Sequence, residues 1–357
     1  MSTVFVPYEA LRAWCASMLR TAGVLPHAAQ LTAGYMLRTD ARGIRTHGIT
    51  RLASYLDKLD SGEVNAVPDL RVGHDSSGII LQADGALGQL AMQTALEQGL
   101  KRLREQSMVA VRIQACGHLG ALGIYALEAA EQGAFCLLAQ RTPALMGLPG
   151  FDAPVIGNNP FAYACPVAGR APLVFDMACS VAARGHILLK ARQGEPIPPG
   201  WALDEQGRPT TDARQALRGS LLPSAQHKGM GLAMLVECLA GGMAASPDSI
   251  AALGKPVDVP TAGAMGRQSA LMLLLDPQQL GHGMFDDYMY AWAQSYQRQG
   301  GESARLPGDR GVRLEAQVQE SGLLPLHASL YQELAGLGAQ RRLPLPDAVA
   351  PLSAPAG

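Results

Sequence analysis

Apolar positions recur at helical spacing through the first sixty residues. Leu11, Trp14, Cys15, Met18 and Leu19 mark one helix, a second follows Pro26 to about Thr39, and Leu52, Tyr55, Leu56 and Leu59 mark a third before Gly62. Past the Asn65–Pro68 turn the pattern changes. Gly78–Leu81 predicts a short strand, Leu87–Leu103 a helix, Met108–Ile113 a strand, Ala121–Gln132 a helix and Ala134–Ala139 a buried strand. Helices and strands alternating at this spacing point to a mixed α/β or α+β core.

Residues 140–160 form a Gly/Pro-rich loop, followed by strands at Phe161–Cys165 and Leu173–Asp176 and a helix over Val181–Arg192. The prolines and glycines of 193–212 suggest an ordered surface loop. Further on, Gly229–Met243 reads as a helix, Gln268–Leu275 as a strand, and Asp286–Gln299 and Leu326–Leu334 as helices. The Pro/Ala-rich end suggests a loose tail.

Composition narrows this picture. With 357 residues, 48% of them hydrophobic, the chain can bury a full core. Its net charge of −1 gives no general attraction for nucleic acid or anionic membranes. Its apolar runs fall far short of the roughly 20 residues of a membrane span, so a cytoplasmic protein is expected. The six cysteines have no CxxC spacing and suit buried thiols better than a metal or redox site.

The chemistry concentrates in a few stretches. In a chain with 17% charged residues, Arg42-Gly43-Ile44-Arg45-Thr46-His47-Gly48-Ile49-Thr50-Arg51 gathers three arginines, a histidine and two hydroxyls. Arginine grips a carboxylate through paired hydrogen bonds, and histidine exchanges protons near neutrality. Gly117-His118-Leu119-Gly120 places a second histidine between a strand and a helix, where its charged form is disfavoured and general acid/base work is possible. Asp176-Met177-Ala178-Cys179-Ser180 offers amides for a phosphate and a carboxylate for a ribose, or an ordinary cap by Ser180. In His227-Lys228-Gly229 a lysine opens an apolar helix against its dipole, a cost that an anionic ligand would offset. There is no GxGxxG after a strand, no P-loop, no GxSxG and no HExxH.

Taken together these stretches resemble the malate/L-lactate dehydrogenase family, whose cofactor fold is not of the Rossmann type. Besides Asp40–Arg51, Gly117–Gly120 and Val174–Ala178, the likeness rests on Gly157-Asn158-Asn159-Pro160, Gly194–Trp201, Gly207–Asp212, His227–Gly229 and Leu306-Pro307-Gly308-Asp309, in the family's order from about residue 8 to 336. It implies an α+β protein with a non-Rossmann NAD(P)-binding sheet domain and a mainly helical domain built from both chain ends. The expected division is 1–72 helical, 73–295 cofactor-binding, 296–340 returning to the helical domain, and 341–357 as tail.

The resemblance also implies a homodimeric oxidoreductase using NAD or NADP, with no metal. By position, His118 would be the proton donor/acceptor, His47 with Thr46 a second pocket group, and Arg51 the carboxylate anchor. Thr142, Asp176, Met177, Ala178, Lys228, Pro307, Gly308 and Asp309 would meet the cofactor. Three features depart from the family: Thr46 in place of Ser, Asn158 in place of Thr, and Gln140-Arg141-Thr142 in place of Thr-Asn-Ser, which sets a bulky cation beside Thr142. The expected reaction is hydride transfer at C2 of a small 2-oxo/2-hydroxy acid. The alternative is reduction of a cyclic imine such as piperideine- or pyrroline-2-carboxylate. A non-catalytic acid-binding protein is the contrasting class, and it predicts loss of His47, His118 or Lys228, all of which are present.

Overall fold

The computed structural model describes residues 3–251, 253 and 268–349. Strand β1 (Thr3–Pro7) leads into helices α1 (Tyr8–Thr21), α2 (Pro26–Ala41) and α3 (Leu52–Asp60). Next come β2 (Arg71–Asp75), β3 (Gly78–Gln82), α4 (Gly88–Leu103), β4 (Met108–Cys116), α5 (Leu122–Glu131) and β5 (Phe135–Arg141). The middle of the chain carries β6 (Ala144–Met146), β7 (Ile156–Gly157), β8 (Phe161–Cys165), β9 (Leu173–Met177), α6 (Arg184–Gln193), β10 (Ala202–Leu203), β11 (Pro209–Thr210), α7 (Ala213–Arg218) and β12 (Ser220–Leu221). It closes with α8 (His227–Val236), α9 (Pro247–Ala251), β13 (Gln268–Leu275), α10 (Pro277–Leu280), α11 (Phe285–Gly300), α12 (Asp309–Ser321), β14 (Leu323–His327) and α13 (Ala328–Gln340).

A seven-stranded sheet ordered β2-β3-β4-β13-β5-β8-β9 forms the centre. Only β3 and β4 pair in parallel; every other neighbouring pair is antiparallel. This is a mixed sheet, not the parallel array of a Rossmann fold. Its middle strand β13 reads Gln-Ser-Ala-Leu-Met-Leu-Leu-Leu and is largely buried on both faces, as a near-continuous apolar run requires. Helices α4 and α5 lie against the sheet, and α2 packs outside them. The contact is close: a Cβ on Gly99 of α4 would stand 2.6 Å from the Leu274 side chain. A turn of π-helix, Glu237–Gly242, packs against β13 and β5.

A second, five-stranded sheet (β11-β10-β12-β6-β7) gathers its own core from Met146, Ile187, Ile197, Ala202, Leu221 and Met230. The 193–212 stretch is therefore not a plain surface loop. Ile197, Ala202 and Leu203 are buried in it, and its strands β10 and β11, two residues each, are too brief to show a period-two pattern.

The chain ends meet in a two-stranded sheet, Thr3 opposite His327 and Pro7 opposite Leu323. The expected helix at Leu326–Leu334 thus begins later, at Ala328, where the His327 side chain accepts from the Ser329 amide. Residues 341–349 are held rather than loose. The Trp14 indole donates to the Leu343 carbonyl at 3.0 Å, and Val349 N donates to Phe5 O at 2.8 Å. Residues 350–357 of the expected tail lie outside the described residues.

Candidate active site

The Arg42–Arg51 stretch leaves α2 and folds back over its last turn. Asp40, buried at the end of α2, accepts from Ile49 N at 2.6 Å. Gly48 lies so close that a Cβ there would stand 2.2 Å from the Asp40 carboxyl. Burial raises the Asp40 carboxyl to about 7, against the lowering effects of the Ile49 amide and Arg45. The fold-back aligns the reactive side chains. Arg51 Nε donates to Thr46 O at 2.7 Å, and Thr46 Oγ1 lies 2.8 Å from His47 Nδ1. Arg42 is buried against Glu315 and so is structural, while Arg45 is exposed.

His118 comes from the far side, just beyond β4. Backbone crowding fixes its turn: a Cβ on Gly88 would meet His118 O at 2.3 Å, and one on Gly117 would meet Ala86 O at 2.9 Å. Its ring stacks on that of His47, with centroids 5.7 Å apart and planes inclined by 27°. His118 Nδ1 lies 3.0 Å from the Tyr55 hydroxyl, which accepts from the Gln89 amide at 3.0 Å. Burial, then Arg51 and His186, lower His47 to about 4. Burial, then His47, Arg51 and Lys58, hold His118 well below the usual imidazole range. Arg51 is the charge common to both rings. Without an anion the site keeps both histidines neutral; an anion placed there favours protonation.

The expected cofactor residues lie on several elements: Thr142 just past β5, Asp176 and Met177 at the end of β9 with Ala178 after it, Lys228 in α8, and Pro307 and Gly308 in the loop before Asp309 opens α12. Cys179 N donates to Asn158 O, Ser224 N to Cys179 O, and Gly229 N to Ser224 O, each at 2.8 Å. This chain of bonds joins the loop after Asp176-Met177-Ala178 to Lys228, and Thr142 joins it by donating to Asn158 Oδ1 at 2.8 Å. The buried Thr142 hydroxyl is thereby spent inside the protein. Arg141 turns aside to Glu237 at 2.8 Å, and Glu237 also accepts from Asn159 at 2.9 Å. Asp176 is exposed, and its carboxylate accepts from Gly123 N at 2.8 Å, at the first turn of α5, five residues beyond His118. Ser180 caps no helix. Its hydroxyl donates to Ala182 O, and α6 starts later, without a side-chain cap. Lys228 lies within the first turn of α8, exposed and with no ion pair among the described residues. The 306–309 loop docks on β9, where Pro307 O accepts from Val174 N at 3.0 Å. Gly308, at φ 100°, fits against Pro172 and Val174 where a Cβ would crowd. The Asp309 carboxylate is held by Arg170 and Leu306 N.

Three residues of the site carried no signal of their own in the sequence. Tyr55 looks like one more apolar position of α3, and Gln89 like a polar residue opening α4. His186 belongs to the first turn of α6, whose Gly185 faces the Arg51 guanidinium, with a Cβ position 3.5 Å from Nη2. A histidine opening a helix just past the Asp176–Ala178 stretch was the available hint. Among the described residues no group of three or more His, Cys, Asp or Glu side chains gathers as a metal site.

Two stacked histidines beside an arginine, on a non-Rossmann mixed sheet, agree with the wider sequence match. Residues 6–335 match the family described as malate/L-lactate dehydrogenase. The chain belongs to this family. Family relatives include a (2R)-3-sulfolactate dehydrogenase (NADP(+)) from Chromohalobacter salexigens, 35% identical over 86% of this chain and 90% of that protein. A Δ1-pyrroline-2-carboxylate/Δ1-piperideine-2-carboxylate reductase from Pseudomonas aeruginosa is 32% identical over 82% of this chain and 86% of that protein. Among solved structures, Δ1-piperideine-2-carboxylate reductase from Pseudomonas syringae superposes with a TM-score of 0.82 at 27% identity, covering 94% of this chain and all of that one.

Proposed function

We propose that this protein transfers hydride between NAD or NADP and C2 of a small 2-oxo/2-hydroxy acid. The observation that carries the reading is Arg51 beside the stacked histidines, whose positive field acts on both rings. An anionic carboxylate gains from that field, while a cationic substrate would lose by it. Arg51 anchors the carboxylate with its guanidinium, whose Nε already fixes its direction through Thr46 O. The substrate oxygen then sits between His47 and His118. In the reductive direction His118 gives its proton to the developing alkoxide, and in the oxidative direction it takes the proton back. His47, oriented by Thr46, donates a hydrogen bond to the same oxygen and excludes water from it.

The residues present fit a nicotinamide cofactor. Lys228 on a helix N-terminus suits a pyrophosphate, and Asp176, whose carboxyl burial raises to about 6 and whose Oδ2 accepts from Gly123 N, suits a ribose hydroxyl through its other oxygen. Met177, Ala178 and the 307–309 loop, which docks on β9 through Val174 N and Pro307 O, would line the cofactor's binding site. Thr142 shapes it from behind through Asn158. Bound there, the cofactor supplies or accepts the hydride at its nicotinamide ring.

A second reading, cyclic-imine reduction, is favoured by the likeness to the two reductases above. The same Arg51 would hold the carboxylate next to a C=N bond, and His118 would protonate nitrogen. A homodimer completes the reading. Met234, Leu235 and Met243 near α8, and Met284, Tyr288, Tyr290 and Tyr296 at α11, are exposed large apolar side chains of the kind a partner covers. Six unpaired cysteines suit a reducing cytoplasm. Among the described residues no helix is long and apolar enough to cross a membrane.

The deciding experiment follows NADH and NADPH oxidation against 2-oxo acids and cyclic imines in parallel. Turnover with a 2-oxo acid at least tenfold above any imine supports the leading reading, and the reverse order establishes the second. No oxidation of either cofactor with any member, together with no melting-temperature shift from either cofactor, would refute both.

A further inference from the structure

Behind His118 lies a chain of polar contacts through Tyr55 and Gln89. Tyr55 and Gln89 are both buried, 3% and 1% exposed. The Gln89 Nε2 donates to the Tyr55 oxygen, and the Tyr55 hydroxyl faces His118 Nδ1, each over 3.0 Å. Gln89 Oε1, also buried, has no partner among the described residues. With this polarity Nδ1 is the acceptor within reach of the tyrosine proton, because the Gln89 group facing the oxygen is a donor. Neutral His118 is then protonated on Nε2. That tautomer cannot serve as a base through Nε2, and losing its proton would leave an imidazolate.

Turning the Gln89 amide by half a rotation exchanges Oε1 and Nε2 and moves nothing else. Tyr55 then donates to Oε1, and its oxygen accepts from His118 Nδ1–H. In this polarity Nε2 alone exchanges a proton. As imidazolium, His118 breaks its Nε2–H bond to form the substrate O–H bond and becomes a neutral ring that keeps Nδ1–H. In the oxidative direction the same neutral ring accepts the substrate proton on Nε2.

We propose that Tyr55 and Gln89 are positioning residues, a reversible hydrogen-bond chain that in the working enzyme runs from His118 Nδ1 through the tyrosine oxygen to Gln89 Oε1. The idea rests on His118 being the proton donor, as read above.

The test compares the pH dependence of kcat/KM in Tyr55→Phe and Gln89→Glu with that of the unaltered protein, alongside His118→Ala. Once ionised, the Glu variant is acceptor-only and locks the working polarity, so above the titration of that carboxyl the limb assigned to His118 moves up by about one pH unit. Tyr55→Phe keeps the ring in its buried seat and removes the hydroxyl that links His118 to Gln89. Its limb moves down by about one unit, and kcat falls about tenfold with KM within about twofold. A residue that merely fills space would move stability and leave the limb in place. Should Tyr55→Phe not fold, Gln89→Glu alone still decides, as does the 15N signal of His118 in the unaltered protein with oxamate bound, expected to report hydrogen on Nδ1. Unmoved limbs together with an inactive His118→Ala would overturn the chain and spare the proton-donor reading. An active His118→Ala would overturn both.

Discussion

Replacing Asp40 by Asn tests how the substrate loop is anchored. Asp40 buries a carboxyl beneath Gly48 and accepts the Ile49 amide, and its pKa rises from 3.8 to about 7 in the folded protein. Between about pH 4 and pH 7 the folded chain holds a proton at Asp40 that the unfolded chain has released. This stabilising contribution is therefore complete below about pH 4 and lost as pH rises to about 7. At about 1.4 kcal/mol per pH unit, the whole effect is of order 4 kcal/mol. Asn keeps an oxygen for the Ile49 amide and removes the buried charge. Part of the gain is offset, because a hydrogen bond to a charged acceptor is worth more than one to a neutral amide.

A net gain of about 1–3 kcal/mol above pH 7 is expected for Asp40→Asn, or roughly 2–6 °C in melting temperature for a chain of this size. The assay is thermal unfolding of both proteins at intervals from about pH 4.5 to 8.5. The difference should be near zero at the acid end and grow with pH. A variant less stable than the parent at pH 8, or a difference independent of pH, would refute the reasoning that the carboxylate is buried at a cost.

Other substitutions probe the site more locally. Arg51→Lys keeps the charge but loses the planar pair of donors, so KM for the acid should rise about tenfold or more with kcat little changed. Gly229→Ala would push a Cβ to 2.2 Å from Ser224 O and 2.8 Å from Cys179 O, both backbone atoms that cannot give way. It should cost about 1–3 kcal/mol of stability and weaken NAD(P)H binding, read by melting and by nicotinamide fluorescence. Lys228→Ala should weaken cofactor binding about tenfold while flattening its salt dependence, since the lysine acts on an anion through charge.

Local signals in the sequence carried most of the core and little of the periphery. Helix α4 and strand β13 were legible because a one-sided apolar stripe and an unbroken apolar run each have a single comfortable setting. Strands β1 and β14 were not, because each is five residues long and pairs only with the opposite end of the chain. Helix α12 passed unread since Val318 is its one buried residue, leaving almost no apolar stripe to read. The site divides in the same way. His47, Arg51 and His118 announce themselves by residue type within tight glycine-flanked turns. Tyr55 and Gln89 acquire meaning only when α3 and α4 bring them behind His118. Asp309 was legible only through the family resemblance, and Arg170, distant in sequence, holds its carboxylate.

The central claim, that His118 moves the proton coupled to hydride transfer, is tested most directly by His118→Ala under single-turnover conditions with the best 2-oxo acid. Cofactor oxidation should slow by about a hundredfold or more, while the melting-temperature shift produced by NADH or NADPH stays as in the unaltered protein. Near-normal oxidation by that variant would contradict the account and pass the role to His47.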